Sequence, residues 1–517
     1  MHTHHYRFVA LIMLGIVSSA CQDSTPPFLP QYEKIDLLIE NSMVLDGLGS
    51  PAEQADLVIV GDRIVFVGNA VFSRQAKDKR ISKIIDASGL FLSPGFIDLH
   101  SHGDPLETPA FENFLAMGVT TISLGQDGES PNINPLSDWL AEIGIRGIGT
   151  NLAMFIGHGT LREQSGIGRS NPPKAADLKK MLSILDSTLK YSFGLSSGLE
   201  YNPGLNADMK ELMQLAHIVA LNDRMIMSHM RNEDDDQLEV SIAELVAQGK
   251  EARVHIAHLK SVYGKGAARA DELIKLLESA LESGVNLSAD SYPYNASYTG
   301  LDIVFPVWAK TAEQFEQAKR ERRNELADYL RKRITRRNGP EATLLGTGKF
   351  TGKTLADIAL ELEMPFEDVL IDVLGPQGAS GAYFVMNEQL QARLLQAPII
   401  GISSDGSPTG FHPRGHGTYA KIIEKYVVQE KLLTLHEAVR KMTSLPAKIL
   451  HITDRGVIRE GMIADVVLFD PAKVHATATY PKPLQLAEGF DTVIVNGKIA
   501  RSANRMSPEL HGRVLQP

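Results

Sequence analysis

The sequence predicts a (β/α)8 barrel of the TIM type with a small β-sandwich domain and an insertion between barrel strands seven and eight. Apolar, β-branched runs alternate with amphipathic stretches through the middle of the chain, which is the pattern of βα units around a buried parallel sheet. Short alternating strands occur near both chain ends, and the last gap between apolar runs is too long for one βα unit. The 517 residues suffice for one large body and one smaller module.

The β-sandwich is predicted from strands at both ends of the chain. The segments "IDLLIENSMVLD" and "ADLVIVGDRIVFVGNA" alternate in polarity and are interrupted by Gly, Asn and Asp, as short strands are. The segments "GMIADVVLFDP" and "DTVIVNGKIA" have the same character. We therefore expect one module formed by residues 34–93 together with residues 455–505.

The barrel is predicted to occupy residues 94–454. A barrel of this type has eight parallel strands, and eight apolar runs account for them. The runs are "PGFIDLHS", "GVTTISLG", "TNLAMFIG", "KYSFGLSS", "RMIMSH", "ARVHIAH", "GVNLSADS" and "PIIGISS".

An insertion at about residues 297–395 is expected in the long gap before the last strand. Its segment "AEQFEQAKRERRNELADYLRKRITRRNG" is highly charged and favours helix. We interpret the insertion as a solvated subdomain on the surface, without a chemical role.

The amino-acid composition argues against nucleic acid as a partner. Charged residues make up 22% of the chain and hydrophobic residues 43%, as in ordinary globular proteins. The formal net charge of -10 offers no basic surface for a phosphate backbone. We therefore expect a small-molecule ligand rather than nucleic acid.

The first twenty residues, "MHTHHYRFVALIMLGIVSSA", predict a signal peptide at residues 1–20. Arg7 precedes an apolar run that is too short to span a bilayer, and small residues follow it. Cys21 is the only cysteine, so a lipid on it would anchor an exported lipoprotein to the membrane. Ser18 stands where a lipobox usually has Leu or Val, which leaves plain secretion into the periplasm open. No other membrane contact is expected.

Polar side chains stand where several predicted barrel strands end. His100 and His102 close the first strand, and the side-chain period of two points both in one direction. Active sites of such barrels form at the carboxyl ends of the strands, so these residues should meet at one rim. The other residues at strand ends are Asp127, His229, His258 and Asp405.

Four imidazoles and two carboxylates on one rim predict a metal site. Neutral imidazoles and carboxylates suit Zn²⁺, and Mn, Co or Fe fit less well. One or two ions are compatible with this number of ligands. His255 lies three residues before His258, on the opposite face of the strand, and we interpret it as structural.

Several motifs make the chain similar to the D-aminoacylases, the N-acyl-D-amino-acid deacylases of the amidohydrolase superfamily. The resemblance extends over about residues 35–500. The segments "PGFIDLHSH" and "GMIADVVLFD" are typical of the whole superfamily, whereas others are more specific to this group. The more specific motifs are "GHGTLR" and "HPRGHGTY".

The resemblance implies a ligand set and one catalytic group. It makes Asp405 the general acid and base, and it places a metal on the strand-end histidines together with Asp405. The family has "GNCG" with a metal-ligating cysteine where this chain has "GQDG". Asp127 therefore stands in the position of a thiolate, and its carboxylate could ligate one cation or bridge two. Asp98 and Glu200 are candidates for supporting contacts.

The resemblance also implies residues that bind the substrate. Equivalent Lys and Tyr residues bind the substrate α-carboxylate in the family, which points to Lys260 and Tyr201. The motif "YPY" looks substrate-facing, although the sequence does not say which tyrosine turns inward. Arg162, Arg231 and Arg414 are candidates for orienting loops or binding the acyl-amino acid. The further candidates are Tyr292, Tyr294 and His158, the last either as an oxyanion donor or as a residue that supports the site from behind.

The expected reaction is hydrolysis of an N-acyl-D-amino acid to a carboxylate and a free D-amino acid. The segment "NASYTGLDIVFPVWAK" has no Arg or Lys before Lys310, so no cation is evident for an acidic side chain. We therefore expect neutral, mostly hydrophobic D-amino acids to be preferred.

Two rival functions stay open at this point. A cyclic-amide hydrolase of the hydantoinase or dihydroorotase kind would share the barrel and its two first histidines. Such enzymes usually carry a carboxylated lysine on strand four, and this strand has only Lys190, at its beginning. A non-catalytic surface lipoprotein is the second rival, against which the complete set of metal-binding residues argues.

Overall fold

The computed structural model describes residues 32–69 and 80–517. The predicted signal peptide and Cys21 lie outside the described residues. Within the described ranges, no helix has the length and apolar character that crossing a membrane requires.

The chain begins with strands of the smaller module, runs through seven barrel strands and then enters the insertion. The first five strands are β1 (Leu37–Val44), β2 (Glu53–Val60), β3 (Arg63–Gly68), β4 (Ile84–Asp86) and β5 (Phe91–Pro94). The next seven are β6 (Phe96–Asp98), β7 (Val119–Leu124), β8 (Asn151–Gly157), β9 (Gly194–Gly198), β10 (Met225–His229), β11 (Arg253–Ile256) and β12 (Leu287–Ser291).

The insertion, the last barrel strand and the remaining strands of the smaller module complete the chain. The insertion contains β13 (Ser297–Gly300), β14 (Thr343–Leu345) and β15 (Ser380–Tyr383), and the chain returns to the barrel in β16 (Ile400–Ile402). The last four strands are β17 (Val466–Phe469), β18 (Phe490–Val495), β19 (Lys498–Ser502) and β20 (Arg505–Met506).

Helices alternate with the barrel strands and also fill the insertion. Around the first seven barrel strands lie α1 (Glu112–Ala116), α2 (Leu136–Arg146), α3 (His158–Ser165), α4 (Ala175–Thr188), α5 (Met209–Leu221), α6 (Leu238–Gln248) and α7 (Gly266–Glu282). The insertion holds α8 (Ala312–Glu321), α9 (Arg323–Arg336), α10 (Leu355–Glu361) and α11 (Phe366–Asp368). The remaining helices are α12 (Glu388–Gln396), α13 (Arg414–Lys421), α14 (Leu435–Met442) and α15 (Ser444–Leu450).

The predicted (β/α)8 barrel is confirmed. All eight strands are parallel neighbours in the order β16-β12-β11-β10-β9-β8-β7-β6. Their apolar runs form strands because both faces are buried, as in β7, where every side chain is buried. Helix α7 shows the complementary pattern, since Ala270, Leu273 and Leu277 form one buried face.

The barrel closes at the rim where the strand-end residues lie. The backbone N–H of Asp405 donates to the His100 carbonyl at 2.8 Å, and that of His102 donates to the Gly406 carbonyl at 2.8 Å. Alternating residues such as Ile97, Leu99 and Phe155 fill the interior, and α15 packs against it through Leu450. These apolar side chains fill the part of the barrel that lies beneath the rim.

The smaller module is built from both chain ends, as predicted. Its strands form one nine-stranded sheet in which β17 pairs with β5, so the end of the chain joins the beginning. Apolar side chains from both parts share a core, among them Leu57, Leu92, Val466 and Ile494.

The insertion between β12 and β16 is a folded unit with its own sheet, β13-β15-β14. The charged segment forms α8 and α9, whose Phe315, Leu326, Leu330 and Ile334 join a separate hydrophobic core. Part of this unit lines the cleft at the barrel rim, so the insertion does not lie on the outer surface alone, and its expected lack of a chemical role stays a prediction.

Candidate metal centre

The carboxyl ends of the barrel strands bring the six predicted metal-site residues together. His229 is the last residue of β10, and the others follow their strands by two to four positions. His100 is fully buried, whereas the side chain of His102 is 36% exposed and faces the cleft. Both imidazoles follow β6 and point to the rim, where each lies within 3.4 Å of Asp127.

Asp127 lies at the centre of the cluster. Its Oδ1 is 3.3 Å from His100 Nε2, 3.4 Å from His258 Nε2 and 3.8 Å from His229 Nδ1. Its Oδ2 is 3.4 Å from His102 Nε2. The two carboxylate oxygens thus face different histidines, a division that a single sulfur atom could not make.

Asp405 lies beside the same histidines and is held by an arginine. Its Oδ1 is 3.2 Å from His102 Nε2, and its Oδ2 is 2.6 Å from Arg414 Nη1. Burial acts to raise the pKa of Asp405, but the charges of Arg414 and His258 outweigh it and hold that pKa well below its ordinary value. The carboxyl group is therefore held in its ionised form.

Three residues of the cluster have unusual backbone conformations. The φ angles are 54° for Asp127, 39° for His258 and 51° for Asp405. Non-glycine residues rarely adopt this left-handed region, and those that do concentrate at functional sites. Each lies in the turn just after a barrel strand, where the conformation directs the side chain into the rim.

The cluster fits a metal ion. The ligand atoms of His100, Asp127, His258 and Asp405 lie within 4.8 Å of one another. Neither ring nitrogen of buried His100 makes a hydrogen bond with any described residue. A buried imidazole without a partner is unfavourable, and a cation at this point would satisfy it. Nitrogen and carboxylate donors of this kind are typical ligands of Zn²⁺.

Two buried aspartates hold the ligands from behind. Asp290 Oδ1 accepts the backbone N–H of His258 at 2.7 Å, and its Oδ2 lies 2.7 Å from His255 Nε2. His255 therefore has a structural place in this network. Asp98 Oδ1 accepts the N–H groups of His100 and Ser404 at 3.3 and 2.9 Å and so ties the first strand to the last. Burial raises the pKa of Asp98 to about 7.

Glu233 is a residue of the site that the sequence reasoning missed. Its Oε1 accepts from Lys260 Nζ at 2.6 Å and lies 3.3 Å from His258 Nδ1. The only sequence signal was its position in "SHMRNE", four residues after His229. Side chains in a loop after a strand do not alternate regularly, so this position in the sequence did not predict where the Glu233 side chain points. Glu200 lies 3.1 Å from His229 Nε2, which is the supporting contact considered for it.

The metal cluster opens into a cleft of about 940 Å³ between the barrel rim and the insertion. Three of the predicted substrate-binding residues line this cleft, namely Lys260, Tyr201 and Arg414. The Tyr201 ring centroid is 4.6 Å from that of His229, and the Tyr201 hydroxyl accepts from Thr299 at 3.3 Å. These side chains therefore surround the space next to the predicted metal.

Neither tyrosine of "YPY" belongs to the cleft lining of the described chain. Tyr292 is buried behind Lys260 and Arg414, with Arg414 Cζ 5.1 Å from its ring centroid. The Tyr294 hydroxyl donates to the Pro413 carbonyl at 3.3 Å. Both therefore pack beneath the cleft wall, and a contact of either tyrosine with substrate stays a prediction.

His158 is likewise absent from the cleft lining in the part of the chain that the structure describes. It begins α3, is fully buried, and places Nε2 2.7 Å from Glu211 Oε1. Arg162 pairs with the same carboxylate at 2.6 Å, and Arg231 pairs with Glu244 at 2.9 Å. The contact with Glu211 favours the supporting role of His158 over the oxyanion role, and both stay predictions.

The insertion contributes two cations to the cleft, Lys310 and Arg337. Both are buried, with exposed fractions of 7% and 2%. The expected preference for neutral D-amino acids assumed that no cation faces the substrate. Arg337 lies outside the segment considered, and the fold of the insertion brings it to the cleft lining, so this premise does not hold for the cleft, and the preference itself stays a prediction.

Comparison with known proteins identifies a family and several relatives that this chain resembles. The model described as the amidohydrolase family matches residues 349–501. An N-acyl-D-glutamate deacylase of Alcaligenes xylosoxydans xylosoxydans is 31% identical, over 90% of this chain and 93% of the relative. An N-acyl-D-aspartate deacylase of the same organism is 30% identical, over 93% of this chain and 95% of the relative.

A solved structure shares the fold over nearly the whole chain. It is the N-acyl-D-glutamate deacylase of Bordetella bronchiseptica, complexed with zinc and a phosphonate inhibitor that mimics the tetrahedral intermediate. It is 28% identical to this chain with a TM-score of 0.79, and the match covers 94% of this chain and 100% of that one.

Proposed function

Because this chain belongs to the N-acyl-D-amino-acid deacylase family of the amidohydrolases, we propose that it hydrolyses the amide bond of N-acyl-D-amino acids. The products are a carboxylate and a free D-amino acid. The observation that carries the proposal is the cluster of imidazoles and carboxylates at the barrel rim, open to a cleft that also presents Lys260 and Arg414.

The rim residues would hold zinc as one or two ions. The candidate ligands are His100, His102, Asp127, His229, His258 and Asp405. When bound, zinc supplies a Lewis acid for the amide carbonyl and lowers the pKa of the attacking water.

Asp405 moves the proton in this mechanism. Its ionised carboxylate takes the proton of the attacking water through Oδ1 and returns it to the leaving nitrogen. Arg414 at 2.6 Å from Oδ2 keeps the group in place and ionised before the reaction. The left-handed backbone at Asp405, with φ of 51°, holds the carboxylate at the rim.

Lys260 and Tyr201 are proposed to bind the α-carboxylate of the substrate. Lys260 Nζ now donates to Glu233 at 2.6 Å and lies 2.8 Å from His258 Nδ1. An ammonium group has three donors, so it can keep Glu233 and turn one donor to a substrate carboxylate. The Tyr201 hydroxyl lies on the same cleft wall.

The cyclic-amide alternative lacks its characteristic ligand. Lys190 is exposed and precedes β9, at the amino end of the barrel and away from the metal cluster. A carboxylated lysine at that position could not reach the rim. Linear amides are therefore favoured over ring amides.

Hydrolysis assays on purified protein of known metal content test the proposal. N-acetyl-D-leucine and N-acetyl-D-glutamate are offered beside N-acetyl-L-leucine and dihydroorotate. We expect release of the D-amino acid from at least one D-substrate and little turnover of the other two compounds. Preferred turnover of the L-isomer or of the ring amide would contradict the proposal, and a metal-loaded protein without any turnover would favour the binding lipoprotein.

We propose further that the protein is exported and lipidated at Cys21. The support is the signal-like sequence of residues 1–20, with Arg7 before an apolar run and small residues before the single cysteine. A lipid there would hold the enzyme at the membrane, and plain secretion would leave it in the periplasm.

Cell fractionation of wild type and Cys21→Ser separates these outcomes. We expect the wild type in the membrane fraction. The Cys21→Ser variant should be found in the soluble fraction, or it should retain its signal peptide. A variant that partitions with membranes as the wild type does would refute lipidation at this position.

A further inference from the structure

Arg337 is a buried arginine on the cleft wall without a carboxylate partner among the described residues. It follows α9 directly, and its Nε is buried and makes no hydrogen bond. Its Cζ lies 5.0 Å from the ring centroid of Tyr383, so the guanidinium stacks on an aromatic face. The stacking fixes the plane of the group and leaves its fork of donors unused.

The arginines within α9 differ from Arg337, because they have carboxylate partners. Each of four has an ion pair with a carboxylate that lies outside the helix. These arginines are Arg323, Arg331, Arg333 and Arg336. Arg337, the most buried of the series, is the one that faces the cleft instead.

Lys310 adds a second cation to this wall. No ion pair within 4.0 Å joins it to a described carboxylate, although its charge reaches Asp302, whose pKa burial raises and Lys310 lowers. Asp302 is thus the local counter-charge for one of the two cations. The wall retains an excess of positive charge, and Thr299, Gln377 and Ser380 add polar groups around it.

The other cleft cations are already engaged near the metal cluster. Arg414 pairs with Asp405 and Lys260 pairs with Glu233. The cleft therefore has two separate basic regions, one at the barrel rim and one on the insertion. A monoanionic N-acyl-D-amino acid whose α-carboxylate binds at the rim would leave the second region unpaired.

We propose that Arg337, assisted by Lys310, binds a second carboxylate of a dianionic N-acyl-D-amino acid, an inference that rests on the proposed deacylase function. A carboxylate accepts two parallel hydrogen bonds from a guanidinium, which matches the unused donors of Arg337. The second carboxylate can belong to the D-amino acid side chain or to a dicarboxylic acyl group. This assignment replaces the expected preference for neutral side chains.

Three substrates distinguish the two sources. N-acetyl-D-glutamate carries the extra carboxylate on the side chain, N-succinyl-D-leucine carries it on the acyl group, and N-acetyl-D-leucine has none. We expect wild type to prefer one of the dianionic compounds over the monoanionic N-acetyl-D-leucine. Arg337→Met should lower the ratio of dianionic to monoanionic kcat/KM by about a hundredfold, because a site built for a charged group loses its partner.

Arg336→Met is the matched control. Arg336 is the neighbouring residue, is 48% exposed and pairs with Asp236 at 2.8 Å on the surface. We expect this variant to leave the ratio unchanged. Arg337→Lys keeps the charge without the fork and should give an intermediate loss, and it also serves if Arg337→Met does not fold.

The proposal is overturned if the ratio is the same in wild type and both Arg337 variants, or if N-acetyl-D-leucine is the best wild-type substrate. Failure of the deacylase function would look different, since none of the three compounds would be hydrolysed. Calorimetric binding of N-acetyl-D-glutamate and N-acetyl-D-leucine then tests Arg337 alone. Equal affinities for the two compounds would refute the second-carboxylate site without reference to turnover.

Discussion

The metal cluster at the barrel rim and a second cluster of buried ionisable side chains near α3 both bring histidine and carboxylate groups together, and they differ in how their polar atoms are satisfied. In the first, at the barrel rim, four imidazoles share Asp127 and Asp405 at 3.2–3.8 Å. In the second, near α3, Glu211 accepts from His158 and Arg162 at 2.6–2.7 Å. The remaining Arg162 donors reach the Gly168 and Ser170 carbonyls.

The difference separates a site built for a ligand from one built for stability. The α3 cluster closes on itself, and His158 Nδ1 is the one nitrogen of its charged side chains without a described partner. The rim cluster leaves both ring nitrogens of His100 without hydrogen bonds and holds three residues in left-handed conformations. Strained and unsatisfied groups persist where function requires them.

Metal removal should have the largest effect and should act on the rim alone. Dialysis against a chelator is expected to abolish hydrolysis and to lower the melting temperature, because a ligand that binds the folded state stabilises it. Added zinc should restore both. Activity that survives with the metal content at background would contradict the rim assignment, and His158→Gln should retain wild-type metal content.

Asp405→Asn should reduce kcat by about a thousandfold, since it removes the group that carries the proton. Asparagine has nearly the same shape, and the histidines remain, so metal content should stay close to that of wild type. Steady-state kinetics combined with metal analysis measure both quantities. Near-normal turnover in this variant would exclude Asp405 as the general acid and base.

Glu211→Gln should act on stability instead of metal binding. It leaves the fully buried Arg162 without its counter-charge, which is expected to cost about 3 kcal/mol in the free energy of unfolding. Urea unfolding of both proteins measures the loss. A change in zinc content with unchanged stability would show that the two clusters are not separate.

The difference in free energy of unfolding between wild type and Glu211→Gln should become smaller in acid. Burial acts to raise the pKa of Glu211, but hydrogen bonds and charges from His158 and Arg162 outweigh it and leave the pKa below its ordinary value. A carboxyl group whose pKa is lower in the folded state than in the unfolded state stabilises the folded protein. This contribution is complete above the unfolded-state pKa of about 4.3 and is lost as the pH falls through the folded-state pKa. The stability difference from Glu211→Gln should therefore be full at neutral pH and should narrow below about pH 4. A difference that widens in acid would contradict this sign.

Residues on barrel strands could be placed from the sequence because the period of two and the parallel arrangement leave few choices. His100, His102 and His229 lie on or just after strands whose apolar runs have one buried solution. The strand order then brings their carboxyl ends to one rim. The metal cluster follows from local pattern plus a common architecture.

Residues in loops and in the insertion could not be placed in this way. The neighbouring residues Tyr292 and Tyr294 turn beneath the cleft wall, and Glu233 reaches His258 through a loop. Arg337 lies 79 positions along the chain from His258, yet it lines the same cleft.

The sequence by itself determined the barrel, the split module and the residues that gather at the rim, because burial of periodic apolar residues allows one arrangement of the strands. Only the tertiary structure decided which cations line the cleft. The orientation of Arg337 depends on how the separate core of the insertion packs over the rim. Such packing joins segments that are distant along the chain, so no periodic pattern in the sequence predicts it.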